Sequence, residues 1–135
     1  MTVTSKQTAL AAVLPNGTAA YVGLFTELPT DDTPTGGVEA SGSGYARKSH
    51  SAWINLTDGD DVFRVNNGVI TFNALTADLT GINGWGVWDA ASGGNLLAYG
   101  YLINWPFVSD YIEDKTFTSG NNPGVADQGI RIGLD

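Results

Sequence analysis

The sequence predicts an all-β fold, a β-sandwich or jelly roll of about eight or nine short antiparallel strands, with one short helix at the N-terminus. Short runs of β-branched and aromatic residues are separated by Gly, Asn, Asp or Pro about every ten residues. The stretch Gly81–Leu102 resembles a β-hairpin with apolar residues on both faces, which requires further strands around it. The chain has 135 residues, the length of one domain, and residues 1–135 are predicted to form a single one.

The N-terminal segment, residues 1–16, is predicted to contain the helix. Thr4 and Gln7 fit a capping box, in which each residue satisfies a backbone N–H of the first turn. Apolar residues that include Leu10 and Leu14 then recur at helical spacing, before a Pro-Asn-Gly stop. Because so short a helix does not persist alone, we expect it to pack on the sheet or on a neighbouring subunit.

The strands follow from period-two patterns and from the turns between them. In the Gly81–Leu102 hairpin, Asp89–Gly94 supplies glycines for the connection. An Asn-Asn-Gly turn is predicted to join the runs around it into a second hairpin. The predicted strands are Ala19–Thr26, Tyr45–Leu56, Val62–Val65, Val69–Phe72, Ile82–Trp88, Asn95–Leu102, Lys115–Thr118 and Ile130–Leu134.

Two regions are expected to make contacts outside the core. Residues 27–44 are predicted to form a long loop, rich in Gly and Pro and without periodicity, and loops of this length are often functional. The strand Tyr45–Leu56 has no cleanly apolar face, so we expect it at a sheet edge or against another subunit.

The composition restricts the partners. Only 15% of the residues are charged, which suits a protein that docks onto others, because interface cores are depleted of charge. The net charge of -8 argues against nucleic acid or an anionic membrane as partner. The N-terminal segment has neither the pattern of a signal peptide nor the apolar length of a membrane span, and the chain has no cysteine.

No pattern in the sequence predicts catalysis, a cofactor or a metal. The single histidine, His50, lacks a nucleophile motif and is predicted to be structural. One histidine and no cysteine leave no zinc ligand set. The segment Asp58–Asp61 resembles the start of a calcium loop, but position 69 is valine where the twelfth ligand would be glutamate, so we interpret it as a solvated turn.

The four tryptophans allow two interpretations of their role. They could form a stacking platform for sugar rings, as in lectin-like sandwiches, or they could pack in the core or at a subunit interface. The simpler interpretation is that they pack in the core or at an interface, since a Trp side chain buries a large area. The four residues are Trp53, Trp85, Trp88 and Trp105.

Several segments occur in the order found in a family of small tailed-bacteriophage structural proteins, whose members share an "LFT..PT....EVSG.GYAR" stretch. Here the corresponding residues are Tyr21–Thr26, Pro29-Thr30 and Gly37–Arg47. An "ITF" strand follows at Ile70–Phe72, and a "GIFDAASGGNLL" hairpin has its counterpart in Gly86–Leu97. The chain therefore resembles this family from Tyr21 to Leu102, and its N-terminal helix also has a family counterpart.

The resemblance implies a virion structural protein. Because the residues show no catalytic pattern, we also expect that the chain is not an enzyme. Our first expectation is a capsid decoration, or cement, protein that bridges subunits of the major capsid protein on the capsid surface. The alternative is a tail-fibre or minor tail protein that binds other virion proteins, with a host surface glycan as a candidate ligand. Phage decorations and fibres are often trimers, so a homotrimer is favoured.

The residues expected to contact partners lie in the long loop, at its exit and on the helix. Arg47 could form a forked ion pair with a carboxylate of a partner or with an acid of its own chain. The complete set is Thr33, Pro34, Val38, Glu39, Tyr45, Arg47, Leu10 and Leu14.

Overall fold

The computed structural model describes residues 2–30, 36–101 and 115–134. It confirms the all-β prediction: in these residues one N-terminal helix is followed by strands, and every strand pair whose register is known is antiparallel. The elements are α1 (Val3–Val13), β1 (Ala20–Glu27), β2 (Val38–Glu39), β3 (Lys48–His50), β4 (Trp53–Asp58), β5 (Asp61–Asn66), β6 (Ile70–Thr71), β7 (Leu79–Ile82), β8 (Gly84–Trp88), β9 (Leu96–Tyr101), β10 (Lys115–Phe117), β11 (Gly124–Val125) and β12 (Arg131–Leu134). Several of these strands have only two or three residues. Because strands so short were not predicted, the total number of strands exceeds the expected eight or nine.

Residue contacts divide the chain into two compact units. The first unit comprises Met1–Ala20, Ser49–Thr71 and Gly124–Asp135, and the second comprises Tyr21–Lys48 and Phe72–Pro123. A single domain stays a prediction. None of the helical structure in the described ranges is long and apolar enough to cross a bilayer.

In the first unit, α1 contacts a three-stranded sheet of order β12-β5-β4. Leu10 and Leu14 are buried, with 2% and 1% of their surface exposed, and Trp53 is fully buried. The buried Arg64 side chain of β5 donates from Nε to the Leu14 carbonyl oxygen, at 2.9 Å. A cation is thereby placed at the C-terminal end of the helix, where the macrodipole favours it.

The predicted capping box is wrong, because the helix begins two residues earlier than a cap at Thr4 would allow. Thr2 is the N-cap, and its hydroxyl accepts a hydrogen bond from the Ser5 backbone N–H at 3.1 Å. Thr4 lies inside the first turn with its side chain exposed. Both threonines have a polar residue three positions later, so local sequence does not distinguish between them. The distinction comes from packing, because Lys6 is buried and donates from Nζ to the Asp60 carbonyl oxygen at 3.0 Å.

Replacing the two threonines in turn tests this assignment. Thr2→Ala is expected to lower the free energy of unfolding by about 1 kcal/mol, because an N-terminal N–H loses its acceptor. Thr4→Ala is the matched control and is expected to change it by less than about 0.5 kcal/mol, since alanine is a better helix former. Urea unfolding of both variants measures the difference. Equal losses in the two variants would contradict the assignment of Thr2 as the cap.

The predicted strand Tyr45–Leu56 is interrupted, which corrects the prediction of one continuous strand. β3 ends at His50 and β4 begins at Trp53. Side chains bind the backbone across the break: Trp53 donates from Nε1 to the His50 carbonyl oxygen at 3.0 Å, and His50 Nε2 lies 2.8 Å from the Ala52 carbonyl oxygen. The two rings also meet edge to face, at 5.3 Å between centroids. The structure therefore gives His50 a packing role.

The predicted hairpin around Asn-Asn-Gly is also wrong. β5 pairs with β4 and β12, whereas β6 pairs with β11. The predicted turn at Asp58–Asp61 leaves only residues 59 and 60 outside the strands, because β4 and β5 pair as far as Asp58 and Asp61. The last predicted strand is confirmed in β12, and β11 lies where no strand was predicted.

In the second unit, the sheet has the order β2-β1-β8-β9, and the hairpin that connects β8 to β9 confirms the prediction from Gly81–Leu102. Val87 is fully buried and Trp88 is 6% exposed, so both faces of β8 are covered. On the Trp88 face, Gly23 of β1 lies opposite Gly86 of β8. A Cβ at Gly86 would lie 2.6 Å from the Phe25 ring, so the absence of a side chain there makes room for aromatic rings.

Candidate functional site

Three residues that the sequence nominated for partner contacts meet on the sheet of the second unit. Glu39 in β2 accepts two hydrogen bonds from Arg47, from Nε at 2.9 Å and from Nη2 at 2.8 Å. Tyr45 donates its hydroxyl to the same carboxylate at 2.7 Å. Arg47 therefore forms its forked pair inside the chain, and of the two alternatives for its partner the structure shows the internal one.

The guanidinium of Arg47 also holds the tip of the β8–β9 hairpin. Its Nη1 donates to the carbonyl oxygens of Ala90 and Gly93, each at 2.8 Å. Its central carbon lies 3.9 Å from the centre of the Trp88 ring, a cation–π distance. We call Glu39, Tyr45, Arg47 and Trp88 the Arg47 clamp. It joins β2, the segment after it and the hairpin tip through one side chain that is only 7% exposed.

The Tyr45 hydroxyl is fixed by the backbone as well. It accepts a hydrogen bond from the Leu24 N–H of β1 at 2.9 Å while it donates to Glu39. This approach depends on Gly23, since a Cβ there would lie 2.7 Å from the Trp88 ring and would also meet the Tyr45 hydroxyl. Burial, together with the Glu39 carboxylate, raises the pKa of Tyr45 well above its ordinary value. The hydroxyl therefore keeps its proton and remains a donor to Glu39.

The hairpin tip has its own internal bonds. Asn95 donates to Asp89 twice, from its backbone N–H to Oδ1 at 2.7 Å and from Nδ2 to Oδ2 at 2.9 Å. Both bonds lower the pKa of the Asp89 carboxyl, and the bond from the backbone N–H has the larger effect. Gly93 and Gly94 have φ values of 63° and 72°, in the left-handed region that favours glycine. The tip is thus held by Asp89 from inside and by Arg47 from the side.

A shallow depression of about 250 Å³ lies between the hairpin tip and the segment 39–47. Its charged groups, Glu39 and Arg47, are already paired with each other. In the described ranges, no three His, Asp or Glu side chains are grouped so that they could hold a metal ion. Besides this ion pair, the lining consists of backbone groups and of the hydroxyls of Ser41, Tyr45 and Ser92.

The other nominated residues lie elsewhere. Leu10 and Leu14 are buried in the first unit, where they pack in its core and present no exposed surface. Val38 is 49% exposed on β2. Thr33 and Pro34 lie outside the described residues, as does the segment 102–114.

The described tryptophans do not form an exposed platform. Trp53 and Trp88 are buried, and Trp85 is half-buried against Gly100 of β9, where a Cβ would lie 2.7 Å from the indole. Trp105 lies outside the described residues. Among the described residues, the exposed aromatic side chains are instead Tyr99 and Tyr101 on β9, at 37% and 51%. Sequence reasoning missed them, although their alternation on a hairpin arm was a usable signal.

Residues 4–109 match the family model described as "Podophage GP4 fiber I protein gp80". This chain belongs to that family. The match includes most of α1, the Arg47 clamp and the whole β8–β9 hairpin, and it confirms the resemblance to small tailed-phage structural proteins. A comparison with curated proteins found no match. As a member of the gp80 fiber I family, the chain is a structural protein of a bacteriophage virion.

The residues of the Arg47 clamp and the hairpin that they hold contact one another, and all of them lie within the residues that match the gp80 fiber I family. Residues 110–135 lie beyond the match, yet β12 pairs with β5 along four residues. The first unit therefore includes a strand from outside the matched region.

Proposed function

We propose that this chain is a non-enzymatic component of a tail fibre, which bridges other proteins of the virion. The family match over residues 4–109 carries the proposal, because the family is described as a fiber protein. The same observation favours the tail-fibre alternative over capsid decoration, which was our first expectation from the sequence.

The contacts of the Arg47 clamp support a role in which the hairpin tip binds a partner protein through its fixed shape. Its hydrogen bonds fix a hairpin tip of small residues, so that the tip loses little conformational freedom when it meets a partner. A fibre carries several copies of its components, and a modest contact then becomes strong because each bound copy raises the effective concentration of the next. The partners proposed are other virion proteins and further copies of this chain.

The copy number of the protein in purified particles tests the proposal. Quantitative mass spectrometry against the major capsid protein is expected to give a ratio lower by about an order of magnitude or more, because fibres are confined to the tail. Immunogold labelling of intact particles is expected to mark only the tail. A ratio near one with label over the whole capsid would overturn the fibre assignment and restore capsid decoration.

A further inference from the structure

The strand β9 (Leu96–Tyr101) is the last strand of the β2-β1-β8-β9 sheet. In the described part of the chain its one neighbour is β8. None of its six side chains is buried, whereas four of the five residues of β8 are. β9 thus presents one row of backbone N–H and C=O groups, and its side chains, to further contacts.

Among the described residues, β9 lacks the features that usually prevent edge strands from pairing with other chains. Those features are short length, charged side chains, proline or a covering element. In the described ranges β2, which pairs with β1 in the same sheet, has two residues and carries Glu39. β4, the other six-residue edge strand, ends at Asp58 and is contacted by α1. β9 has six residues and carries neither charge nor proline.

The two exposed side chains of β9 are Tyr99 and Tyr101, which lie on the same face of the sheet. Their partners across the sheet are glycines, Gly86 opposite Tyr99 and Gly84 opposite Tyr101. The tyrosine rings therefore have no cross-strand side chain directly opposite on β8. Tyrosine is enriched in interface cores, because it combines a large apolar ring with a hydroxyl.

The uncharged side chains of β9 and the symmetry of antiparallel pairing favour a second copy of this chain at this edge. With a net charge of -8, two copies repel each other over most approaches. An approach along β9 brings no charged side chain of either strand to the contact. An antiparallel strand is also its own complement about a two-fold axis, since each N–H of one copy meets a C=O of the other.

We propose that two copies of this chain join edge to edge along β9, antiparallel and about a two-fold axis. The backbone bonds of the strand supply the affinity, and the four tyrosine rings of the pair pack over it. The proposal does not depend on whether the protein lies in the fibre or on the capsid. It replaces the favoured homotrimer by a dimer.

Sedimentation velocity of the full chain between about 1 and 200 µM tests the pairing. A single strand pair gives a small interface, so we expect a dissociation constant on the order of 10 µM and a mass that rises from monomer to dimer. Tyr101→Lys adds two cations to the dimer contact and is expected to weaken dimerisation about tenfold or more. Val69→Lys makes the same charge change at a residue of the first unit that is 66% exposed, and it should dimerise like the parent.

Three results of that experiment would overturn the proposal. They are a parent protein that stays monomeric at 200 µM, a trimer, or a dimer that Tyr101→Lys leaves as tight as Val69→Lys does. Equal far-UV circular dichroism and melting temperatures of the two variants confirm that both are folded.

Hydrogen exchange supplies the local measurement. Amides of residues 96–101 are expected to become more protected as the protein concentration rises. Protection that is already complete at 1 µM would mean that the chain covers its own edge, which also overturns the proposal. Because the chain has no cysteine, Tyr99→Cys gives a second readout: oxidation should link two copies through it, while Val69→Cys should stay unlinked.

Discussion

Arg47→Ala is expected to lower the free energy of unfolding by about 3 kcal/mol, because the substitution leaves several polar groups of the Arg47 clamp without a partner. Glu39 loses both bonds of the fork, and the carbonyl oxygens of Ala90 and Gly93 lose their donor. The stacking on Trp88 is lost as well. Glu39 is 27% exposed, so water replaces part of the loss, and the effect falls at the low end of the range for buried ion pairs.

Two further variants separate the geometry of Arg47 from its charge. Arg47→Lys keeps the positive charge but cannot form the fork or bind both carbonyls in the same plane, so we expect it to recover less than half of the loss. Lys48→Ala removes the neighbouring cation, which has no hydrogen bond or ion pair in the described part of the chain, and should cost less than about 0.5 kcal/mol.

Urea unfolding gives the free energies, and hydrogen exchange at residues 89–95 reports on the hairpin tip. Arg47→Ala should speed exchange there even under conditions in which the protein stays folded. If Arg47→Ala were as stable as Lys48→Ala and left the tip protected, the clamp would not hold the hairpin.

Asn66→Ala is expected to destabilise the first unit by about 3 kcal/mol. Asn66 is fully buried at the end of β5, and its side chain makes three hydrogen bonds to the backbone. Nδ2 donates to the carbonyl oxygens of Gly68 and Ala126 at 2.8 and 2.9 Å, and Oδ1 accepts from the Ile130 N–H at 2.9 Å. Alanine would leave these groups unpaired where water does not reach them freely, and each such group costs about 1 kcal/mol or more.

The adjacent Asn67 provides the matched control. It has the same side chain, but this side chain is exposed and makes no hydrogen bond in the described ranges. Asn67→Ala is therefore expected to change the free energy of unfolding by less than about 0.5 kcal/mol. Thermal and urea unfolding of the two variants should differ clearly. Similar values would show that the Asn66 bonds contribute little to the packing of residues 126–130 on β5.

The Asn66 network also explains why the sequence misled us about this turn. Asn-Asn-Gly between two apolar runs is a strong local signal for a hairpin. Here its groups bind a segment about 60 residues later: Gly68 donates to Asp127 at 2.7 Å, in addition to the Asn66 bonds. Loop closure entropy grows slowly with length, so a distant partner with several good bonds can displace a local one.

The candidate site was predictable as a set of residues but not as an arrangement. Glu39, Tyr45 and Arg47 were all nominated, yet the sequence offers 14 acidic residues with which Arg47 could pair. Which one it meets depends on the β1–β2 register, which sets Glu39 opposite Phe25. The backbone acceptors at Ala90 and Gly93 have no signature in the sequence, because every residue carries a carbonyl group.

The sequence by itself determined the features that are set within a few residues of each other. These are the all-β class, the N-terminal helix, the β8–β9 hairpin with its glycine tip and the last strand. Periodicity and turn chemistry decide such features, because they act between neighbours along the chain. The tertiary structure decided the rest: the burial of Leu10 and Leu14, the partner of Arg47 and, among the described residues, the place of β9 as the last strand of its sheet. These depend on which distant segments come together, where many pairings satisfy the same local pattern and only the packed whole selects one.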